Sequence, residues 1–250
     1  MFGIIGGTGF QNLLPFSIVD EVRVKTPYGD PSAPLLYGKL LGQDVVLMRR
    51  HGVGHEFAPH RVPYRANLWA LKVAGVEGIL ACATVGGIEE AMGPGVLAVP
   101  DQLIDYTWGR EDTYFEDFGK CGVHHIDFTH PFDENLRKRL LAAARSYPHI
   151  NCLSKGTYAC TQGPRLETAA EVQRYCQDGA TMVGMTLYPE AALAREINMP
   201  YAAITGSVNH AAGVATSADG IAFTSLKEVI QDCANNMCMV VGRAVAGEIP

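Results

Sequence analysis

The chain has 250 residues, of which 48% are hydrophobic and 18% charged, so a disordered protein is excluded and a sizeable core is expected. The net charge of −6 leaves no surplus of Lys and Arg to neutralise nucleic-acid phosphates, and no apolar run reaches the ~18 residues of a membrane span. We therefore predict a protein that binds neither nucleic acid nor membrane.

Short apolar segments bounded by Gly, Pro or Asp predict the strands. In chain order they are Phe2–Ile5, Leu35–Leu40, Asp44–Met48, Gly78–Ala83, Val96–Val99, Gly156–Thr161, Met182–Gly184 and Ala202–Thr205. The predicted helices are Tyr64–Ala74, Asp133–Ser146, Thr168–Gln177, Pro189–Glu196 and Leu226–Ala246. Their alternation predicts a single α/β domain over residues 1–250, with a largely parallel sheet and a site beyond the strand ends.

The cysteines and histidines suggest no metal centre. Seven cysteines form no CxxC pair and several lie in apolar stretches, which favours reduced, buried thiols and predicts a cytoplasmic protein. His124, His125 and His130 have no Cys partners at zinc-ligand spacing, so no metal is predicted.

The first predicted strand runs into a glycine turn, Gly6-Gly7-Thr8-Gly9. Bare backbone there approaches an anion closely, and Thr8 adds a hydroxyl, although a simple tight turn has the same pattern. A dinucleotide fingerprint would need glycine where Asn12 stands. An NAD-dependent dehydrogenase is thus the weaker alternative.

Three further segments carry groups that suit phosphate. Arg50 and His51 follow a predicted strand, and arginine presents a fork of donors that matches phosphate. Thr84, after Ala83, and Thr186 each put a hydroxyl at a predicted strand end. Together these segments indicate a cradle for inorganic phosphate.

Taken in order, these segments resemble the purine nucleoside phosphorylase superfamily and, within it, the methylthioadenosine phosphorylase branch. The resemblance runs from Gly3 to about Phe223. Its segments are Gly3–Gly9, Arg50–His55, Tyr64–Leu71, Ala83–Gly87, Gly163–Glu171, Met185–Glu190 and the stretch around Asn209.

The resemblance implies a single-domain layered α/β/α fold with a mixed, largely parallel central sheet, and a homotrimeric enzyme. In such an enzyme phosphate attacks the anomeric carbon of a purine nucleoside, releasing the free base and a ribose 1-phosphate. Inorganic phosphate is a co-substrate, and neither a metal nor an organic cofactor is expected.

The same resemblance implies roles for individual residues. The implied phosphate contacts are Thr8, Arg50, His51, Ala83, Thr84 and Thr186. The backbone of Met185 is expected to hold the ribose hydroxyls, and His125 to complete a neighbouring subunit's site. Asn209, Thr186 and His51 are the residues expected to act in catalysis.

The base-recognising positions depart from the methylthioadenosine pattern. That branch has two Asp residues facing adenine, where this chain has Asn209 and Ala211. Asn209 alone is ambiguous, because an amide can pair with adenine or with a 6-oxopurine. Leu166-Glu167 lies in a segment similar to one found in inosine and guanosine phosphorylases. In those enzymes its Glu accepts a hydrogen bond from ring nitrogen 1 of the purine. The alternative is that Glu167 is an ordinary acid in the first turn of a helix.

The region expected to face the 5′ position of the sugar is apolar. Inosine phosphorylases place a His there, whereas this chain has Ala222 and Phe223, which suit a methylthio group. The expected substrate is therefore S-methyl-5′-thioinosine, a 6-oxopurine 5′-methylthionucleoside. Phosphorolysis of methylthioadenosine, general inosine/guanosine phosphorolysis and a non-catalytic nucleoside-binding module stay as alternatives.

Overall fold

A central mixed sheet organises the fold. The computed structural model describes residues 1–7, 16–116, 124–223 and 226–247. The strands are β1 (Phe2–Gly6), β2 (Phe16–Val22), β3 (Leu35–Leu40), β4 (Gln43–Arg49), β5 (Ile79–Gly87), β6 (Leu97–Ala98), β7 (Gln102–Asp105), β8 (Cys152–Leu153), β9 (Thr157–Cys160), β10 (Met182–Gly184) and β11 (Tyr201–His210). The helices are α1 (Tyr64–Val73), α2 (Glu134–Arg145), α3 (Ala169–Gln177), α4 (Leu187–Glu196) and α5 (Leu226–Ala246).

Strand β5 is the centre of the sheet. The strand order is β2-β3-β4-β1-β5-β10-β9-β7, and β11 also pairs with β5 and leads through β6 to β8. β1 is parallel to both β4 and β5, and β11 is parallel to β5 along its whole length. The carboxyl ends of β1, β4, β5 and β11 therefore lie at one edge, where sites of α/β folds gather.

Helices cover both faces of the sheet. On one face α1 and α4 contribute buried Leu68, Leu71 and Leu193 to a large apolar cluster. On the other face α2 and α5 bury Leu140 and Val241 in a second cluster. The arrangement confirms the predicted α/β/α layering with a mixed, largely parallel sheet.

The predicted elements are present, and most differences lie at their ends. α5 has the predicted bounds, whereas β11 extends to His210 and α4 begins at Leu187. Sequence patterns missed β2, β7 and β8. β2 is mostly exposed, and β7 and β8 are only four and two residues long, so their periodicity is weak.

The cysteines and the helices bear on two further expectations, buried thiols and the absence of a membrane span. The six described cysteines are free thiols; Cys82, Cys160, Cys233 and Cys238 are buried, as predicted, whereas Cys176 is exposed. Among the helices of the described ranges, none combines the length and apolarity needed to cross a membrane.

Candidate active site

A cavity lies at the edge of the sheet where the carboxyl ends of β1, β4, β5 and β11 meet. The predicted site residues that line it are Arg50, His51, Ala83, Thr84, Leu166, Glu167, Met185, Thr186, Asn209 and Ala211. They come from five separate stretches of the chain. The sheet topology thus brings together in one cavity the predicted phosphate residues and the predicted base residues.

Three of the described residues that were predicted for the site do not line this cavity, and a fourth predicted residue is not described. Thr8 lies outside the described residues, although the preceding Gly7 lines the cavity. Ala222 and Phe223 do not line it and are exposed, Phe223 at 70%. Of the stretch predicted to form the 5′ wall, Ile221 lines the cavity, whereas the role of Ala222 and Phe223 stays a prediction. His125 is also exposed and outside its own chain's cavity.

Gly7 brings β1 close to the arginine of the site. A Cβ atom at position 7 would lie 2.9 Å from Nη1 of Arg50 and 2.9 Å from the carbonyl oxygen of Cys82. Real Cβ contacts essentially never come this close. The glycine is therefore required by the approach of two backbone segments and a buried guanidinium.

Arg50 is held by a buried ion pair. Its Nε donates to Oε1 of Glu190 at 2.5 Å, its Nη2 to Oε2 at 2.9 Å, and its Nη1 to the Cys82 carbonyl at 2.8 Å. Both side chains are 1% exposed. Burial alone would lower the pKa of Arg50, but the Glu190 carboxylate outweighs it and raises that pKa. Arg50 is thus a fixed cation whose charge is already balanced inside the protein.

His51 lies beside Arg50 and is neutral at pH 7. Its Nδ1 lies 2.8 Å from the Phe57 carbonyl oxygen, and its ring stacks on His55 with centroids 4.4 Å apart. Burial, followed by the adjacent Arg50 charge, lowers the pKa of His51 to about 4. Since a carbonyl only accepts, Nδ1 carries the ring proton and Nε2 has the lone pair.

Glu167 is turned towards the cavity by a neighbouring hydroxyl. Thr161 donates through Oγ1 to Oε1 of Glu167 at 2.6 Å, so the second carboxylate oxygen remains for a ligand. Burial raises the pKa of Glu167, and the Thr161 hydrogen bond partly offsets that effect. The carboxylate is accordingly half-buried and oriented, as a group that recognises a polar ligand must be.

The helix acid of this segment is a different residue. Thr168 is the N-cap of α3, and Glu171 completes its capping box: the Thr168 Oγ1 accepts from the Glu171 N–H, and a Glu171 carboxylate oxygen accepts from the Thr168 N–H. Arg165 also donates to both oxygens of Glu171. Glu167 precedes the N-cap, which contradicts the alternative that it is a first-turn acid of α3.

An irregularity in β11 places Asn209. The register of β11 against β5 shifts between Ser207 and Asn209, as in a β-bulge, which redirects a side chain locally. The Asn209 Nδ2 donates to the carbonyl of His210 at 2.6 Å. An amide NH2 has two hydrogens, so one hydrogen and the Oδ1 acceptor are left for a ligand.

Arg110, which the sequence patterns missed, braces two walls of the cavity. Its Nη1 donates to the carbonyls of Met185 (2.9 Å) and Tyr188 (2.6 Å), and its Nη2 to those of Thr161 and Gln162, both at 3.0 Å. One guanidinium therefore ties the segment that carries Glu167 to the segment that carries Thr186. No motif marks Arg110, because its partners are backbone carbonyls distant in sequence.

Other lining and supporting groups also escaped the sequence analysis. Four of them line the cavity: His55, Pro59, Val85 and Val208. Thr161 does not line it but holds Glu167 through a hydrogen bond. In the described ranges, no three His, Cys, Asp or Glu side chains are grouped so that they could hold a metal ion.

Comparison with known proteins decides the family. Residues 1–246 match the family model described as the phosphorylase superfamily. The chain belongs to the phosphorylase superfamily. This membership agrees with the resemblance in the sequence and makes the protein an enzyme of the phosphorylase class.

Individual relatives of this phosphorylase carry two kinds of name. A protein of Pseudomonas syringae pv. tomato, named probable S-methyl-5′-thioinosine phosphorylase, is 47% identical over 93% of each chain. A protein of Mycolicibacterium smegmatis, named S-methyl-5′-thioadenosine phosphorylase, is 46% identical over 86% of this chain and 78% of its own. The methylthioadenosine phosphorylase of Schistosoma mansoni in complex with adenine has a TM-score of 0.90 and 33% identity, covering 98% of this chain and 90% of that chain.

Proposed function

We propose that this phosphorylase cleaves S-methyl-5′-thioinosine with inorganic phosphate, giving hypoxanthine and 5-methylthioribose 1-phosphate. The observation that carries the proposal is the position of Glu167: it lines the cavity, is held by Thr161, and leaves the helix cap to Glu171. The name of the Pseudomonas relative supports the same substrate.

The base preference follows from the hydrogen on ring nitrogen 1. Hypoxanthine has an N1–H that a carboxylate can accept, whereas adenine has a lone pair there that would face the Glu167 oxygen unpaired. Sites built around such a polar pair reject the mismatched analogue by roughly 10⁴-fold. Asn209 is proposed to give its remaining N–H to nitrogen 7, where charge develops as the base leaves.

The phosphate is assigned to one group of residues, called here the phosphate end of the cavity. They are Arg50, His51, Ala83, Thr84 and Thr186, which line the cavity, together with Thr8. Phosphate is already a nucleophile and needs no general base. As the glycosidic bond breaks, its negative charge stabilises the positive charge that develops on the sugar. No metal or organic cofactor enters this scheme.

The 5′ group of the sugar is proposed to lie against apolar side chains of the cavity. Ile221 and Val208 supply apolar surface to the cavity, which suits a methylthio group. An apolar pocket rejects an added hydroxyl only by ~10²-fold. Inosine is therefore expected to be a slower substrate rather than an excluded one.

We further propose that the active form is a homotrimer in the cytoplasm and that His125 reaches a neighbouring subunit's cavity. The exposure of His125, and its place outside its own chain's cavity, support this assignment.

The proposal is tested by comparing phosphorolysis of methylthioinosine, methylthioadenosine and inosine at equal phosphate concentration. We expect kcat/KM to be highest for methylthioinosine, with no base release when phosphate is omitted. A higher kcat/KM for methylthioadenosine would overturn the base assignment and favour the function named for the Mycolicibacterium and Schistosoma proteins.

A further inference from the structure

The charge balance of the phosphate end is unusual for an anion site. Arg50 is a cation that lines it, but its charge is balanced by Glu190 through two hydrogen bonds. The neighbouring imidazole of His51 is held neutral by burial and by Arg50. The described groups at this end therefore add little net positive charge, so hydrogen bonds must discriminate between anions.

The tautomer of His51 determines which hydrogen bond it can make. The Phe57 carbonyl, 2.8 Å from Nδ1, can only accept, so Nδ1 donates to it. Nε2 then has a lone pair, and among the described residues it has no hydrogen-bond partner. A fully deprotonated oxyanion would place its own lone pair against Nε2, whereas an acid P–OH group would give it a hydrogen.

We propose that His51 is a specificity-determining residue that accepts a hydrogen bond from the single P–OH group of monohydrogen phosphate, so that the site favours oxyanions with one acidic hydrogen over sulfate. The inference rests on the proposed phosphorolysis. It adds which form of the co-substrate binds and which similar anion is rejected.

Sulfate is a suitable probe because it differs from HPO4²⁻ in one hydrogen. The two anions have the same charge and nearly the same size at about pH 8, where phosphate is mainly the monohydrogen dianion. Arsenate, which also retains one acidic hydrogen there, is the positive control. An unmade hydrogen bond at a buried acceptor reduces binding by about tenfold or more.

The first experiment uses the unmodified protein. Inhibition of methylthioinosine phosphorolysis by sulfate is measured against phosphate, and arsenate is tested as a replacement co-substrate. We expect the sulfate inhibition constant to exceed the phosphate KM by about tenfold or more, and arsenate to support base release. Sulfate binding as tightly as phosphate would overturn the inference, whereas absence of phosphate-dependent base release would instead overturn the proposed function.

The second experiment changes the acceptor. The amide of His51→Gln can turn either its oxygen or its NH2 towards the anion, so the preference for phosphate over sulfate should fall by about tenfold. His149→Gln, at an exposed position outside the cavity, is the matched control and should retain the preference. Circular dichroism and a melting curve show whether His51→Gln is folded. A folded His51→Gln protein with the original preference would contradict the inference.

A third measurement needs no variant. To bind sulfate, Nε2 of His51 must first take up a proton. The charge of Arg50 and the stacked ring of His55 oppose this uptake. Neither nearby carboxylate offsets them, because Glu190 is already engaged by Arg50 and Glu167 is assigned to the base. The sulfate inhibition constant should therefore rise by up to about tenfold per pH unit above neutrality, as expected for uptake of one proton. The KM for HPO4²⁻ should lack this rise. Parallel pH profiles for the two anions would contradict the inference.

Discussion

Glu167 and Glu171 are four residues apart in sequence, yet their surroundings give them different chemistry. Glu171 accepts hydrogen bonds from the Arg165 side chain and from the Thr168 N–H, and these hydrogen bonds lower its pKa to about 2. Burial has the opposite effect on Glu167 and raises its pKa. Hydrogen bonding stabilises a carboxylate charge, whereas burial penalises it. One glutamate therefore stabilises the helix and the other faces the cavity.

The first prediction concerns base discrimination by Glu167. In Glu167→Gln the ratio of kcat/KM for methylthioinosine to that for methylthioadenosine should fall by about 10²-fold, because a neutral amide also pairs with adenine. Glu171→Gln is the control and should keep the ratio, because position 171 does not line the cavity and its amide oxygen can still accept from the Thr168 N–H. Equal loss on both substrates in Glu167→Gln would contradict the assignment.

The same residue predicts a pH dependence. A 6-oxopurine needs Glu167 ionised, and the pKa of this carboxyl is raised above the usual glutamate range by burial. The preference for methylthioinosine should therefore be greatest above that raised pKa and decline as the pH falls through it. In Glu167→Gln the ratio should not vary with pH in this range, and a persistent slope would assign the effect to another group.

A second prediction concerns the buried ion pair. Glu190→Gln leaves the Arg50 charge uncompensated at 1% exposure, so the free energy of unfolding should fall by about 3–5 kcal/mol and the phosphate KM should rise. Asp44→Asn, which breaks the exposed pair with Lys39, is the control and should cost at most about 1 kcal/mol. Denaturant unfolding measures both; similar small losses would show that the pair does not hold Arg50.

At the scale of elements, the site depends on strand ends joined by one arginine. β9 and β10 run in parallel, and the segments that follow them carry Glu167 and Thr186. Arg110 donates to carbonyls in both segments, with a planar fork that lysine cannot reproduce. The relative position of the base and phosphate ends is therefore set partly by Arg110, which lines neither.

This arrangement gives a third prediction. In Arg110→Lys the nucleoside KM should rise by about tenfold, and the methylthioinosine preference should fall, because Thr161 and Glu167 lose their fixed position. Arg174→Lys, on the exposed side of α3, is the control. Arg110→Lys with a lower melting temperature but an unchanged KM and preference would indicate a purely structural residue.

Elements and site differ in how far the sequence predicts them. An apolar stripe located α5 and short apolar runs located the buried strands, because periodicity reflects burial directly. The exposed strand β2 and the two-residue strand β8 lack that signal. In the site, glycine and hydroxyl segments were informative. Arg110, however, acts through carbonyls 51 and 75 residues away in the sequence, and Glu190 acts through Arg50, 140 residues away. Composition predicted Ala222 and Phe223 for the 5′ wall, next to the Ile221 that lines the cavity, because a turn cannot be positioned to one residue from composition.

At the scale of the whole molecule, the cavity and the exposed His125 predict different things about assembly. The chain's own sheet supplies the predicted base and phosphate ends, whereas His125 lies elsewhere on the surface. A residue of this kind affects catalysis only if another subunit brings its cavity to it. Assembly and activity should therefore be linked.

The fourth prediction tests that link. Light scattering should give a mass three times the chain mass of 26.9 kDa. His125→Ala should retain this mass but lose about tenfold in kcat/KM for the nucleoside, since one hydrogen bond to the substrate is removed. His149→Ala is the surface control. A fully active monomer would contradict the trimer assignment, and an unaffected His125→Ala protein would contradict the role assigned to His125.

The recognition of hypoxanthine by Glu167 is tested most directly by a crystal structure with hypoxanthine and phosphate bound. We predict that a carboxylate oxygen of Glu167 lies within hydrogen-bond distance of ring nitrogen 1, about 2.7–3.2 Å away, while Thr161 still donates to the other oxygen. A base bound in this cavity with Glu167 turned away from nitrogen 1 would contradict the account.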